Sequence, residues 1–170
     1  FIQKTTTCIN TSICYAKNAG QYNALQAMRI KRPALAGLLV FRVIDDKQQF
    51  LLVHPSRHAK GKYAIPKGHI NDGEKTLTAA IRETYEETGV KAEPLHKLPE
   101  IEYDLKSGKR KRVTIFLAQY VSGVNDDGVS LKHDFESDDV RFFNIDNLPD
   151  IFSTQKPIIA NAIKLLKETF

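Results

Sequence analysis

Apolar positions are scattered without a sustained period over residues 1–27, where Thr, Asn, Ser and Gln dominate. From Pro33 the pattern sharpens. Residues 35–44 (LAGLLVFRVI) are almost continuously apolar, as a buried strand is, and 50–54 (FLLVH) repeat the run after the polar stretch 45–49 (DDKQQ). Two such runs around a polar turn predict a hairpin. Residues 55–62 read as loop and Tyr63-Ala64-Ile65 as a short apolar piece. Pro66-Lys67-Gly68 ends that piece, and Asn71-Asp72-Gly73 predicts another turn. The period then changes. Leu77, Ala80, Ile81 and Thr84 stand at i, i+3, i+4 and i+7, predicting a helix over 76–88 with that stripe inward. Gly89 follows where a helix end favours a left-handed residue.

Further strands are predicted at 101–105, 113–121 and 140–145, with turns at Ser107-Gly108 and 125–128. Ile159, Ile163 and Leu166, beside Ala162 and Leu165, predict a closing helix over 156–170. Strands enclosed by two helices, without a βαβα rhythm, predict an α+β or α/β sandwich.

Length and composition narrow the class. The 170 residues suit one ordinary domain rather than two halves around a cleft. At 42% hydrophobic and 26% charged, the chain builds a core and is not of disordered composition. No run approaches the roughly 18 apolar residues of a membrane span. Cys8 and Cys14 are too few for a disulfide framework and lack a zinc-ligand pattern with histidines.

The net charge of +5 is unevenly spread. Residues 1–44 carry six basic side chains (Lys4, Lys17, Arg29, Lys31, Arg32, Arg42) and no acid, leaving 19 basic against 20 acidic in the other 126. The total therefore does not argue for nucleic-acid binding. Lys106 with Lys109-Arg110-Lys111-Arg112 is one dense basic run, either a solvated hairpin tip or a phosphate-binding edge. Met28 is the single methionine, and a start there would leave 143 residues. Residues 1–32 are accordingly expected to be an N-terminal extension and 33–170 the folded domain. The first 27 are expected to be a leader, an upstream extension or an artefact. Organelle import through them is the alternative, against which stands the lack of Arg in 1–28.

Candidate chemistry lies on the central helix. Glu83, Glu86 and Glu87, at i, i+3 and i+4, project from one face. Like charges so spaced destabilise an isolated helix by roughly 0.2–0.5 kcal/mol per pair. A hard cation removes that penalty, because carboxylate oxygens are what Mg²⁺ or Mn²⁺ prefers. An exposed acidic face is the other reading of the spacing.

The surrounding residues add a resemblance. Gly68, five residues, Glu74, seven residues, then Arg82-Glu83-Thr84-Tyr85-Glu86-Glu87-Thr88-Gly89-Val90 resembles the Nudix box, G-x5-E-x7-R-E-U-x-E-E-x-G-U, with U a bulky apolar residue. Thr84 at the first U is the one departure. Residues 63–69 (YAIPKGH), 35–41, Glu136 to Phe143 and Leu148-Pro149 are also similar to the family. The resemblance implies a Nudix fold, a mixed β-sheet sandwiched between α-helices. It also implies a pyrophosphohydrolase of a nucleoside diphosphate linked to another group, with Mg²⁺ as cofactor, or Mn²⁺ in its place.

The same resemblance implies roles. The Gly68 carbonyl would join Glu83, Glu86 and Glu87 around the ion, with Glu83 or Glu87 as ligand and base. Glu136 would be the alternative base or a further ligand. Arg82 would orient a box carboxylate. Glu74 would support the loop–helix structure, unless it is an exposed first-turn acid favoured by the helix dipole. Lys67, Arg42, His69 and Tyr103 are the candidate substrate contacts. Against them stand a solvated lysine, an outward strand arginine, a loop histidine and a half-buried tyrosine. His54 and His58 read as single loop histidines, and Asp138 and Asp139 as turn and strand-start residues.

The proline-lysine-glycine-histidine segment and the Phe142-Phe143 pair look most like the dinucleoside polyphosphate hydrolase branch. ADP-ribose, diphosphoinositol polyphosphate, (d)NTP and RNA 5′-end substrates are the alternatives, as is a non-catalytic nucleotide or RNA sensor. The expected partner is a phosphorylated small molecule, with no membrane and with nucleic acid only as an RNA 5′ end. The expected location is cytoplasmic.

Overall fold

Alternation along one strand organises the fold. In β1 (Ala34–Ile44), Leu35, Leu39 and Phe41 enter one buried cluster while Ala36, Leu38 and Val40 enter another. Successive side chains of a strand point to opposite faces, so a run that is apolar throughout is a strand covered on both sides. The computed structural model describes residues 34–56, 61–105, 107–108, 110–123 and 137–169, apart from the side chain of Asp138. Glu136, His58, Lys106, Lys109, residues 1–33 and the 125–128 turn lie outside the described residues.

The remaining elements are β2 (Lys47–Pro55), β3 (Lys67–His69), α1 (Thr76–Thr88), β4 (Lys91–Lys97), β5 (Ile101–Asp104), β6 (Arg110–Ser122) and β7 (Ser137–Asn144). A 3₁₀ turn (Ser153–Gln155) leads into α2 (Lys156–Thr169). The seven strands form one sheet in the order β4-β6-β1-β2-β7, with β3 also paired to β1 and β5 to β6. β1 and β6 run parallel and the other pairs are antiparallel, giving the mixed sheet that the resemblance implies.

Each face has its own core. Beneath α2, Phe50, Leu52, Val113, Ile115 and Leu117 meet Ile158, Ile159, Ala162 and Leu166. On the α1 side, Leu51, Val53, Ala118 and Val140 join Ala79 and Ala80.

The sequence expectations need four corrections. The turn between β1 and β2 is two residues, not five: Ile44 pairs with Lys47, and Asp45 and Asp46 have φ of 49° and 59°. Positive φ at both positions is the twist-matched hairpin turn, and Asp tolerates it. Lys67–His69, expected as a break, is a short strand against β1. β4 was not foreseen; it is an edge strand on the sheet path, carries Pro94 and two register shifts, and lacks an apolar alternation.

The fourth correction concerns the α1 stripe. Leu77 and Ile81 are 40% and 42% exposed, while Ala79, Ala80, Thr84 and Thr88 are buried. Small side chains face the sheet because the helix lies close upon it, close enough for Thr84 to bond the β1 backbone. Gly89 does close α1, with φ of 66° and its amide donating to the Tyr85 carbonyl at 2.7 Å. No helix among the described residues is long and apolar enough to cross a membrane.

Candidate active site

The site begins where two glycines permit close approach. In the β1–β3 pair, Gly37 lies opposite Lys67 and Ala36 opposite Gly68. A Cβ on Gly37 would stand 2.0 Å from the Pro66 carbonyl oxygen, so residues 66–67 rest directly on the β1 backbone. A Cβ on Gly68 would stand 1.9 Å from Oε2 of Glu83. The carboxylate of α1 thus occupies the space that any other residue at 68 would fill. The segment before β3 is tied down as well. Ala64 exchanges backbone hydrogen bonds with Val53, and the Ile65 amide donates to buried Gln155 Oε1 at 2.7 Å.

Arg82 is the electrostatic centre. Its Nε and Nη2 donate to the two oxygens of Glu74, each at 2.8 Å, and Nη2 also reaches the His69 carbonyl at 3.0 Å. Nη1 donates to Glu83 Oε1 at 2.8 Å and Glu86 Oε2 at 2.9 Å. All five guanidinium N–H groups therefore have an acceptor. The Arg82 bonds, then the Asn71 amide at 3.0 Å, hold the Glu74 carboxyl down to about 2. Glu74, and then Glu83, push the arginine further toward its charged form. Glu74 thus ties the Asn71 loop to Arg82 of the helix and is not a free first-turn acid.

Glu87 reaches the other side of the bend, where its Oε2 accepts the Lys67 amide at 3.0 Å. Lys67 itself is lowered, first by burial and then by the nearby charge of Lys111, with Glu87 opposing. Its Nζ lies 3.5 Å from the Ile65 carbonyl.

Three helix carboxylates and the Gly68 backbone make a hard-oxygen donor set suited to a divalent cation. The missing Cβ at 68 fits this use, since it leaves Glu83 against the backbone. Among the described residues, however, no three acidic, histidine or cysteine side chains converge on one point. Arg82 draws Glu83 and Glu86 to itself, and Glu87 is turned to the Lys67 amide. Glu83 is 16% exposed and Glu86 53%, so Glu86 has the freer path to an incoming ion.

The other candidates separate. His69 contributes its carbonyl to Arg82 while its side chain is exposed. Arg42 donates to Gln49 Oε1 at 2.7 Å and stacks 4.2 Å from the centre of the Phe142 ring, which Tyr120 meets edge-on. Burial lowers its pKa. Tyr103 packs against the core beneath α2, and burial raises its phenol. It lies in register with Lys111.

That register resolves the basic run by strand alternation. Arg110 is neutralised by Asp104, at 2.9 Å, and by Glu102; Arg112 is paired with Glu102 at 3.1 Å. Lys111, between them, has its charge felt at Lys67. By alternation Lys111 shares the face of Val113 and Ile115, on the α2 side of the sheet. A period-2 reading of 110–112 is the signal that separates it from its neighbours. Asp139 is a strand residue, as expected, accepting hydrogen bonds from Tyr63 and Arg141.

Known proteins share both pattern and fold. The NUDIX domain model matches residues 34–162. An asymmetrical bis(5′-nucleosyl)-tetraphosphatase of Caenorhabditis elegans is 36% identical over 108 residues, covering 60% of this chain and 73% of that protein. The Rattus norvegicus protein of the same name is 31% identical over 116 residues, covering 65% and 78%. A Schizosaccharomyces pombe NAD-capped RNA hydrolase is 33% identical over 99 residues, covering 58% of this chain and 25% of that protein. A crystal structure of a C. elegans Ap4A hydrolase binary complex is similar in fold, with TM-score 0.64 and 24% identity, covering 80% of this chain and 98% of that one. With the box complete in its glycines, glutamates and arginine, and the helix carrying it set on a mixed seven-stranded sheet, this chain belongs to the NUDIX family of hydrolases.

Proposed function

We propose that the chain hydrolyses a phosphoanhydride bond of a dinucleoside polyphosphate, with Mg²⁺, or Mn²⁺ in its place, held by Glu83, Glu86, Glu87 and the Gly68 carbonyl. The observation that carries this reading is the Glu83 carboxylate seated against the backbone of Gly68. Bound there, a divalent ion polarises phosphate oxygens and lowers the pKa of coordinated water.

The chain's own groups supply the rest. Glu83 or Glu87 accepts the proton of the attacking water, and Arg82 holds the helix carboxylates in one orientation. Water oxygen bonds to phosphorus, the P–O bond to the departing phosphate breaks, and the leaving phosphate carries the electron pair. Lys67 and Lys111 receive the outer phosphates electrostatically, with Tyr103 alongside. Glu136 keeps its proposed role as a further base or ligand. The named relatives that act on bis(5′-nucleosyl) tetraphosphates support the substrate class.

An RNA 5′-end reading also has relatives behind it, NAD-capped RNA hydrolases of S. pombe and of three Vibrio species. Against it, Arg110 and Arg112, which would track a nucleic-acid backbone, are engaged by Asp104 and Glu102.

A panel of diadenosine tetraphosphate, ADP-ribose, diphosphoinositol polyphosphate, nucleoside triphosphates and NAD-capped RNA, each with Mg²⁺, tests the reading. Diadenosine tetraphosphate is expected to turn over fastest, with solvent ¹⁸O appearing in one phosphate product. Glu87→Gln is expected to lower kcat by about 10²–10⁴-fold while the fold persists. Turnover unchanged in that variant overturns the assignment, and binding without turnover of any compound makes the domain a sensor.

A further inference from the structure

We propose that the Thr84 hydroxyl is a positioning group that sets where the box carboxylates stand, a role the box pattern gives to no side chain at that place. The inference rests on the reading that Glu83 and Glu87 hold the ion.

Along its edge away from β6, β1 has an interval without a strand partner. Its pairing with β3 ends at Gly37, and its pairing with β2 begins at Phe41. The amide of Leu38 falls in that interval and donates instead to Thr84 Oγ1 at 3.0 Å. Thr84 is fully buried, so water does not offer that amide an alternative acceptor. The bulky apolar residue of the box pattern would fill the same space and leave the amide unpaired. A buried donor without an acceptor is strongly disfavoured, so the hydrogen bond holds α1 at one height on β1.

The same stretch of β1 places the metal-side backbone. Gly68 pairs with Ala36, two positions from Leu38, and Glu83 is the residue before Thr84. The helix is therefore referenced to β1 at the point where its carboxylate meets Gly68. A second buried hydroxyl fixes the helix end: Thr88 Oγ1 donates to the Thr84 carbonyl at 2.6 Å and accepts the Val90 amide at 3.1 Å. Sliding the helix by a fraction of an ångström would break the first bond and move Glu83 and Glu87 together. Groups that orient metal ligands are typically worth 10–100-fold in affinity or rate.

The test compares the full chain with Thr84→Val, Thr84→Ser and Thr84→Ala. Mn²⁺ binding is read by paramagnetic resonance without substrate, and kcat and KM are read with diadenosine tetraphosphate and Mg²⁺. Val and Ala are expected to bind Mn²⁺ about 10-fold more weakly and to lose about 10–100-fold in kcat, with KM nearly unchanged. Ser is expected to stay within about 3-fold of the parent in both, because it keeps the acceptor. Should Val fail to fold, Ser and Ala, which both lack the methyl, still differ only in the hydroxyl. Equal Mn²⁺ affinity and kcat in Ser and Ala, or parental values in folded Val, overturns the proposal. Glu87→Gln runs in parallel: parental Mn²⁺ binding and turnover there overturn the carboxylate reading itself, whereas its loss beside unaffected Thr84 variants overturns only the positioning role.

Discussion

Arg82 shows how one side chain organises three others and a backbone carbonyl. Its planar fork satisfies Glu74 with two parallel bonds and still has donors for Glu83, Glu86 and the His69 carbonyl. Lysine, a point charge with three donors, cannot reproduce that set. Glu74 reports on the arrangement. Its folded pKa of about 2 lies below the ordinary 4.5, so its ionised form stabilises the fold above about pH 4.5. That contribution is lost as pH falls through about 2. Carboxyl ¹³C NMR should find a midpoint near 2 for Glu74 in the folded chain, and a midpoint at the ordinary value would discard the Arg82 fork in solution.

At Gly68 the neighbour of an added Cβ is the end of a flexible side chain, which can move aside. Gly68→Ala should therefore keep its thermal midpoint within a few degrees and lose about 100-fold in kcat as Glu83 is displaced. Calorimetry beside a rate assay checks both halves. The spacing of Gly68, Glu83, Glu86 and Glu87 made this candidate site legible from the sequence, because glycine and carboxylate chemistry is local to the motif. The different surroundings of Lys111 were hidden inside a charge run, since only strand alternation sorts it from the salt-bridged Arg110 and Arg112.

At the scale of elements, α1 appears over the residues its spacing predicts, but with its inward face turned toward Ala79, Ala80, Thr84 and Thr88. Hydrophobic period weights Leu and Ile by size, whereas the distance between helix and sheet selects small residues. β4 has little signal in the sequence for a related reason. An edge strand with Pro94 and two irregular pairings carries few of the apolar positions by which strands announce themselves. β1 was legible as a strand because burial on both faces through Phe41 writes itself as a continuous apolar run, although Val43 and Ile44 continue that run into solvent. Its pairing with β3 depends on Gly37, whose Cβ would meet backbone rather than a movable side chain. Gly37→Ala should thus destabilise the chain by about 1–3 kcal/mol in urea unfolding, in contrast to Gly68→Ala. Equal stability in the two variants would show that the segment after Pro66 is free to shift.

In the molecule as a whole, the sheet is one structural layer with two different tasks. The α2 side is packed with large apolar side chains, Phe41, Phe50, Ile158 and Leu166 among them, and anchors the fold. The α1 side has alanine and threonine under the helix and carries the carboxylates beside β3. Neither the parallel β1–β6 pair nor the strand order could be read from periodicity, which is blind to which strand lies beside which.

The parallel pair has a consequence for how activity arises during synthesis. β1, on which α1 is seated, pairs early with β2 and β3 on one edge but meets its other flanking strand, β6, far later in the chain. Contacts so distant in sequence form late and slowly. A ribosome that has released the whole box but not yet β6 holds a helix whose supporting strand is paired along one edge only. The nascent polypeptide should hold the proposed carboxylate site less firmly until that strand emerges.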